Sequence, residues 1–343
     1  MKFDVIIGNP PYQEMTGGGT TTESSMPLYH YFIEKAMDIC DGYVTMIIPS
    51  RWMSGGKSVL DDFRRKMVEC GSLQSIYNFE KSQDVFPTVN IAGGIQYLLL
   101  NKEYNSDLVE FHNCKLEDNQ IVYEYTVRNI GEYKYIDSQF KEQYLIVSDN
   151  NAKSILDKIL VKRELRMDAS NVDINPFNLG TDFQDSKVYS ENKHIKVVRS
   201  NNRVTYTDES NIVKNYRLLN KYKVCVGKLS SEFGGTPQRG KKANVITNPF
   251  ILGPNEVCTG SFVVIGVFNT LERAENMVTY MKTKFTRYLI SVTISGMHIS
   301  TRNYMFVPIQ DYSKPWTDLE LYDKYGLSKY EIELIENKIK QME

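Results

Sequence analysis

The sequence predicts an α/β layer with a parallel sheet in its first third, followed by a region of mixed α+β character. Short apolar runs, Val5–Ile7, Tyr43–Ile48, Leu73–Phe79 and Gly94–Asn101, read as strands, and helical repeats separate the first three of them. Beyond residue 105 the pattern breaks into short strands and polar loops without repeats. An open sheet of this kind binds its ligands outside the carboxyl ends of its strands.

The first run is the most informative. Val5-Ile6-Ile7 is apolar on both faces, as a buried central strand is, and it stops at Gly8 before Asn9-Pro10-Pro11-Tyr12. Each proline fixes φ and gives up its N–H, so the Pro10 carbonyl is an acceptor in a turn that cannot relax into helix or strand. Asn9 puts a side-chain carbonyl beside it, and Tyr12 adds a flat ring with a polar tip. Two acceptors next to an aromatic plate suit an exocyclic NH₂ on a flat heterocycle, and adenine has that shape. As an ordinary turn the same residues need no function, since Asn and Pro are common turn formers.

Gly17 to Ser25 holds little to bury and reads as a mobile lid. Pro27 opens a helix with Leu28, Phe32, Ala36 and Ile39 on one stripe, and Asp41-Gly42 ends it. Ser54-Gly55-Gly56-Lys57-Ser58 imitates the end of a phosphate-binding loop, but Arg51 stands where that motif needs glycine, so it is read as the loop before a helix closed by Gly71. Phe86 lies between the last two strands and can return to the same sheet edge as Asn9. From about Asp107 to Gln143 a tyrosine-rich stretch reads as a linking β-element, with a short helix over roughly 151–162.

The net charge of -1 conceals a local surplus. Lys193 to Lys242 carries twelve Lys/Arg against three acids, with Tyr206, Tyr216 and Tyr222 interleaved, which marks a candidate phosphate-binding face. Lys228, Arg239, Lys241 and Lys242, around the glycine-rich Phe233–Gly240, are its candidate contacts. Asn269 with Glu272 reads as a capping box for a helix burying Leu271, Val278, Met281, Phe285 and Leu289, with Lys282, Lys284 and Arg287 on its other faces. Trp316 to Met342 reads as an amphipathic helical tail.

Five cysteines, an odd number without a C-x-x-C pair, read as reduced thiols filling the core, and no metal site is expected. No apolar stretch approaches the roughly 18 residues of a membrane span, and no leader opens the chain, so the expected compartment is the cytoplasm.

At Asn9-Pro10-Pro11-Tyr12 the sequence resembles the amino-group DNA methyltransferases, in particular the adenine-N6 enzymes of restriction systems of the type IIG or type ISP-like kind. Asp84-Val85-Phe86-Pro87 is similar to a later aromatic motif of that family, whose Phe packs against the extruded base, and Phe268 through Trp316 to Leu327 resembles the tail of the restriction-linked members. The resemblance implies a partial Rossmann-like class I methyltransferase sheet over 1–105, a link over 106–162, a mixed α+β DNA target-recognition domain over 163–310 and a helical tail over 311–343. It implies S-adenosyl-L-methionine as cofactor and double-stranded DNA as substrate, with Asn9, Pro10 and Tyr12 catalytic and Phe86 holding the base. The family's glycine-rich cofactor loop and the acid that holds the ribose have no convincing match, so cofactor-binding residues are unassigned. The expectation is that a partner chain, or a missing N-terminal half, supplies them and pairs with the free side of Val5-Ile6-Ile7. The rival readings are a DNA specificity subunit that does not methylate, and methylation of a protein glutamine or an RNA base.

Overall fold

The computed structural model describes residues 2–16, 24–55, 59–137, 141–147, 149–168, 171–231, 241–294 and 296–343. They form two compact units, Met1–Asp149 with Thr293–Gly296, and Asn150–Val292 with Met297–Glu343.

The first unit contains β1 (Phe3–Gly8), β2 (Gln13–Thr16), β3 (Ser24–Pro27), α1 (Tyr29–Ile39), β4 (Cys40–Pro49), α2 (Val59–Glu69), β5 (Leu73–Phe79), β6 (Ile95–Asn101), β7 (Leu108–Glu117), β8 (Gln120–Asn129), β9 (Lys134–Asp137) and β10 (Lys141–Tyr144). Six of the strands make one sheet in the order β1-β4-β6-β5-β7-β8. The sheet is mixed, which corrects the parallel one expected: β1–β4 and β5–β7 are parallel, while β6 runs antiparallel to both β4 and β5. The connection over 80–94 holds no α-helix that could carry the chain back across the sheet, so the strand after it returns in the opposite sense and slots between its predecessors. β7 and β8 extend the same sheet by ten-residue pairing, so the division expected at 105 falls at 149. Nor does Asp41-Gly42 stop α1 with a turn. β4 begins directly at Cys40, and Gly42 sits inside it, where a Cβ would come 3.1 Å from the Asp4 carbonyl carbon and closer still to its oxygen. Only glycine lets β1 lie this near β4.

One face of the sheet is covered. α1 packs on β4, and Val44, Met46, Ile48, Leu98 and Leu100 are buried. The other face carries Val5, Tyr43, Tyr77, Tyr123 and Tyr125, all exposed, and β1 is an edge strand whose Ile7 is 77% exposed.

The second unit contains α3 (Asn150–Leu160), β11 (Ile195–Arg199), β12 (Arg203–Thr207), β13 (Tyr222–Gly227), β14 (Phe250–Leu252), β15 (Glu256–Cys258), β16 (Phe262–Phe268), α4 (Leu271–Lys282), α5 (Lys284–Ser291), α6 (Asp318–Lys324) and α7 (Lys329–Lys338). Two three-stranded sheets, β12-β11-β15 and β14-β13-β16, share a core that includes Phe177, Ile195, Cys225, Leu252, Cys258 and Val264. The single helix expected after Asn269 is two, because Thr283 turns extended and caps α5 by accepting from Thr286 N. No Asn269 capping box forms: Thr270 is the residue before α4, and Leu271 is exposed. Arg287 is fully buried rather than on an outer face, donating to the carbonyls of Lys282, Thr283 and Asn244. The tail forms α6 and α7, each opened by a capping box, Thr317 with Glu320 and Ser328 with Glu331. All five cysteines are free thiols. Among the described residues no helix is long and apolar enough to cross a membrane.

Candidate functional site

β1 delivers Asn9 to the carboxyl-end edge of the sheet because its apolar run ends at Gly8 and the two prolines forbid further pairing. Asn9 is exposed and Pro10 buried, and among the described residues neither the Asn9 side chain nor the Pro10 carbonyl has a hydrogen-bond partner. Both are acceptors that remain to be used. Tyr12 follows, anchored where its carbonyl accepts Leu28 N at 3.1 Å, just ahead of α1. Its ring is half-buried, its hydroxyl is buried without a partner, and burial pushes the phenol above its usual pKa.

Phe86 reaches the same place from the connection between β5 and β6. That loop is fastened by the buried Ser82, whose hydroxyl donates to Val89 O at 2.8 Å and accepts from Ile91 N at 2.8 Å. Phe86 N donates to Ser82 O at 2.7 Å, and Asp84 accepts from Leu116 N on β7. Gly94 closes the loop at φ +84°, with Phe79 O and Glu80 where a side chain would stand. Tyr12 and Phe86 thus pack, with Ile91 and Tyr97, against one buried cluster of Ile47, Phe79, Ile95 and Cys114. The expected convergence of the two aromatic residues is present in the fold.

Beside Tyr12 lies a cavity of about 510 Å³, whose lining includes Tyr29, Pro49, Arg51, Asn90 and Ile91. Tyr12 is the only one of the four sequence-derived residues in its wall, which does not include Asn9, Pro10 or Phe86. Tyr29, Arg51 and Asn90 were not singled out from the sequence as site residues. Tyr29 and Arg51 are reached only through the order of the sheet, which sets the start of α1 and the end of β4 next to the turn.

The basic surplus has a different character from its count. Lys193, Lys196 and Lys214 pair with Asp185, Glu256 and Asp173. Lys223 is wholly buried, donating to Gly253 O at 2.7 Å and Leu218 O at 3.2 Å, and burial lowers its pKa to about 8. Lys242 donates to Glu336 O, Lys241 is exposed, Lys228 is half-buried, and Arg239 lies outside the described residues, as do all of Phe233–Gly240 and most of the Gly17–Ser25 stretch. Charge does divide by unit. Residues 1–149 hold 13 Lys/Arg against 21 Asp/Glu, and residues 150–343 hold 28 against 21.

Residues 1–86 match the Eco57I restriction-modification methylase family. That match spans β1 through the Phe86 loop, so the turn and the aromatic pair both fall inside it. Over 104 residues the chain is 38% identical to an uncharacterized adenine-specific methylase of Mycoplasma pneumoniae, a stretch that is 30% of this chain and 25% of the relative. The chain therefore spans about a quarter of the length of the curated relative it matches. Among solved structures, a modification subunit of a putative type I restriction enzyme from Vibrio vulnificus is 11% identical, with a TM-score of 0.34 over 45% of this chain and 39% of that one. The type IIG restriction endonuclease BpuSI is also 11% identical at a TM-score of 0.34, over 95% of this chain and 49% of that one.

Proposed function

We propose that this chain is the target-base half of a cytoplasmic DNA adenine-N6 methyltransferase of a restriction–modification system. The observation that supports it most is the pair of unused acceptors on Asn9 and Pro10, held beside an aromatic pair within the segment that matches the Eco57I restriction-modification methylase family. An adenine amino group cannot be reached within a stacked duplex, so the base is extruded to meet them. Asn9 Oδ1 and Pro10 O accept its two N–H bonds, which turns the nitrogen lone pair out of the ring plane. Tyr12 and Phe86 hold the ring, and the work of the site is positioning and polarisation with no covalent intermediate. Lys228, Arg239, Lys241 and Lys242 in the more basic second unit contact phosphate.

S-adenosyl-L-methionine is the methyl donor in this reading, and the described residues do not fit it. The cavity beside Tyr12 has no carboxylate in its described wall to hold a ribose, and β1, where a strand carrying such a loop would pair, is an edge. The cofactor site accordingly lies on a completing polypeptide that adds to β1 and covers the open face. The test is product analysis. Double-stranded DNA incubated with S-adenosyl-L-methionine, this chain and its complementing polypeptide yields N6-methyladenine, and neither component alone does so. Methylation of cytosine, of RNA or of a protein glutamine in place of adenine contradicts the proposal.

A further inference from the structure

Arg51 has no role in that reading. Lys2, Arg64, Arg65, Lys66, Lys115 and Lys134 each pair with a carboxylate of the same unit; Arg51, like Lys35, Lys81 and Lys102, has no ion pair among the described residues, and it alone of these four lines the cavity beside Tyr12. Its Nε is buried without a hydrogen-bond partner. It lines the cavity beside Tyr12, and no Asp or Glu shares the described lining, although this unit is rich in acids. An unneutralised guanidinium in a recess, with donors to spare, is an anion site in waiting.

The sequence holds it there by structure. Pro49 ends β4, and Ser50 is fixed by Ser50 N donating to Gly94 O at 3.1 Å and by its hydroxyl donating to Asn78 Oδ1 at 2.7 Å. On the far side, the buried Arg64 of α2 donates to Trp52 O and Gly55 O and pairs with Asp61. Arg51 is thus clamped between two fastened neighbours. Gly296 leaves room beside it, since a Cβ there would stand 3.4 Å from Arg51 Nη2. The lining residues Asn90 and Ile91 come from the loop that carries Phe86, so the recess and the base-holding cluster share one wall.

We propose that Arg51 binds the backbone phosphate adjoining the extruded adenosine, with Tyr29 completing the recess. This rests on the reading of Tyr12 as the residue the base stacks on. A nucleotide brings its phosphate within a few bonds of its base, so a phosphate site has to adjoin the base site, and Arg51 is the cation found there. The planar fork of a guanidinium matches two phosphate oxygens, which a lysine does not. Tyr29, 1% exposed, lines the same cavity, and its hydroxyl is buried without a partner, a donor still to be used. The volume, about 510 Å³, falls in the range of roughly 300–1,000 Å³ of small-molecule sites.

The test is an NMR titration of the full chain, following the Ile91 methyl signal, with deoxyadenosine, deoxyadenosine 5′-monophosphate and deoxyadenosine 3′-monophosphate. One of the two monophosphates binds roughly tenfold more tightly than the nucleoside, from one charge-assisted contact. Arg51→Ala erases that difference and leaves the nucleoside affinity as it was, and Arg51→Lys keeps part of it. Arg51→Gln, which retains donors without charge, carries the comparison should the alanine variant misfold. Equal binding of nucleoside and both monophosphates, or a phosphate preference that survives in Arg51→Gln, overturns the assignment of Arg51 and leaves the base site standing. An Ile91 signal unmoved by deoxyadenosine overturns the base site itself, and the phosphate site with it.

Discussion

Replacing Gly42 by alanine tests whether β1 is held against β4 as described, and through it the placement of Asn9. A Cβ at position 42 would lie 3.1 Å from the Asp4 carbonyl carbon and closer to the oxygen, well inside ordinary contact, and the obstructing atoms are backbone that no rotamer change can move. β1 has to shift by on the order of 1 Å, and forcing an atom into a filled space costs about 1–3 kcal/mol. With a urea dependence of about 1–3 kcal/mol/M, the unfolding midpoint of this unit falls by roughly 1 M. The buried Trp52 reports on that transition by fluorescence once Trp316, the other tryptophan, is changed to phenylalanine. The same displacement moves Asn9 and lowers methylation in the complemented complex by about 10²-fold. Gly8→Ala is the control, since there the nearest atom is Met46 Cε at 3.9 Å, and its midpoint stays at the wild-type value. A wild-type midpoint for Gly42→Ala refutes the register of β1 on β4.

Ile7→Lys leaves the isolated chain as stable as wild type, because the side chain is 77% exposed, and weakens association with the completing polypeptide at least about tenfold in a calorimetric titration; unchanged association removes β1 from that interface. Lys223 has a folded pKa near 8 against an ordinary value of 10.5, so the unfolded chain binds more protons between those values and stability rises with pH across that window. Lys223→Met loses that rise, on the order of 3 kcal/mol, in urea midpoints compared at pH 7 and pH 10; identical slopes for the two proteins contradict it. Lys241→Ala, at an exposed lysine, flattens the salt dependence of DNA binding by about one unit of slope if it touches phosphate, and an unchanged slope returns it to the solvated surface.

What the sequence made legible was local. Val5-Ile6-Ile7 announced a strand needing neighbours on both sides, and its exposed edge in the fold is that same mismatch in three dimensions. The helix ending at Gly71 could be read because its φ of +63° suits glycine at a helix end. Tyr12 and Phe86 could be placed together because both follow strands of one sheet. The insertion of β6 between β4 and β5 depends on long-range pairing that periodicity does not encode, as does the addition of β7 and β8 to the sheet. The helix break at Thr283 was hidden because Met281, Phe285 and Leu289 keep a helical repeat across it. Charge misled for a related reason. A count sees Lys193, Lys196, Lys214 and Lys223 as alike, whereas the first three spend their charge on carboxylates and the last is buried among carbonyls. Arg51 shows the converse. In the sequence it only spoiled a phosphate-loop motif, and its place in the cavity wall without an ion pair among the described residues emerges with the fold.

The most direct measurement compares Asn9→Ala with wild type in the complemented complex, recording methyl incorporation into adenine and DNA affinity side by side. Asn9 is exposed, unpartnered and remote from the basic second unit in sequence, so its loss leaves the DNA dissociation constant unchanged while removing one acceptor aimed at the reacting amino group. Loss of one aimed hydrogen-bond partner lowers the methylation rate by roughly 10²–10³-fold. Methylation by Asn9→Ala at the wild-type rate makes the Asn-Pro-Pro-Tyr turn purely structural and contradicts the account.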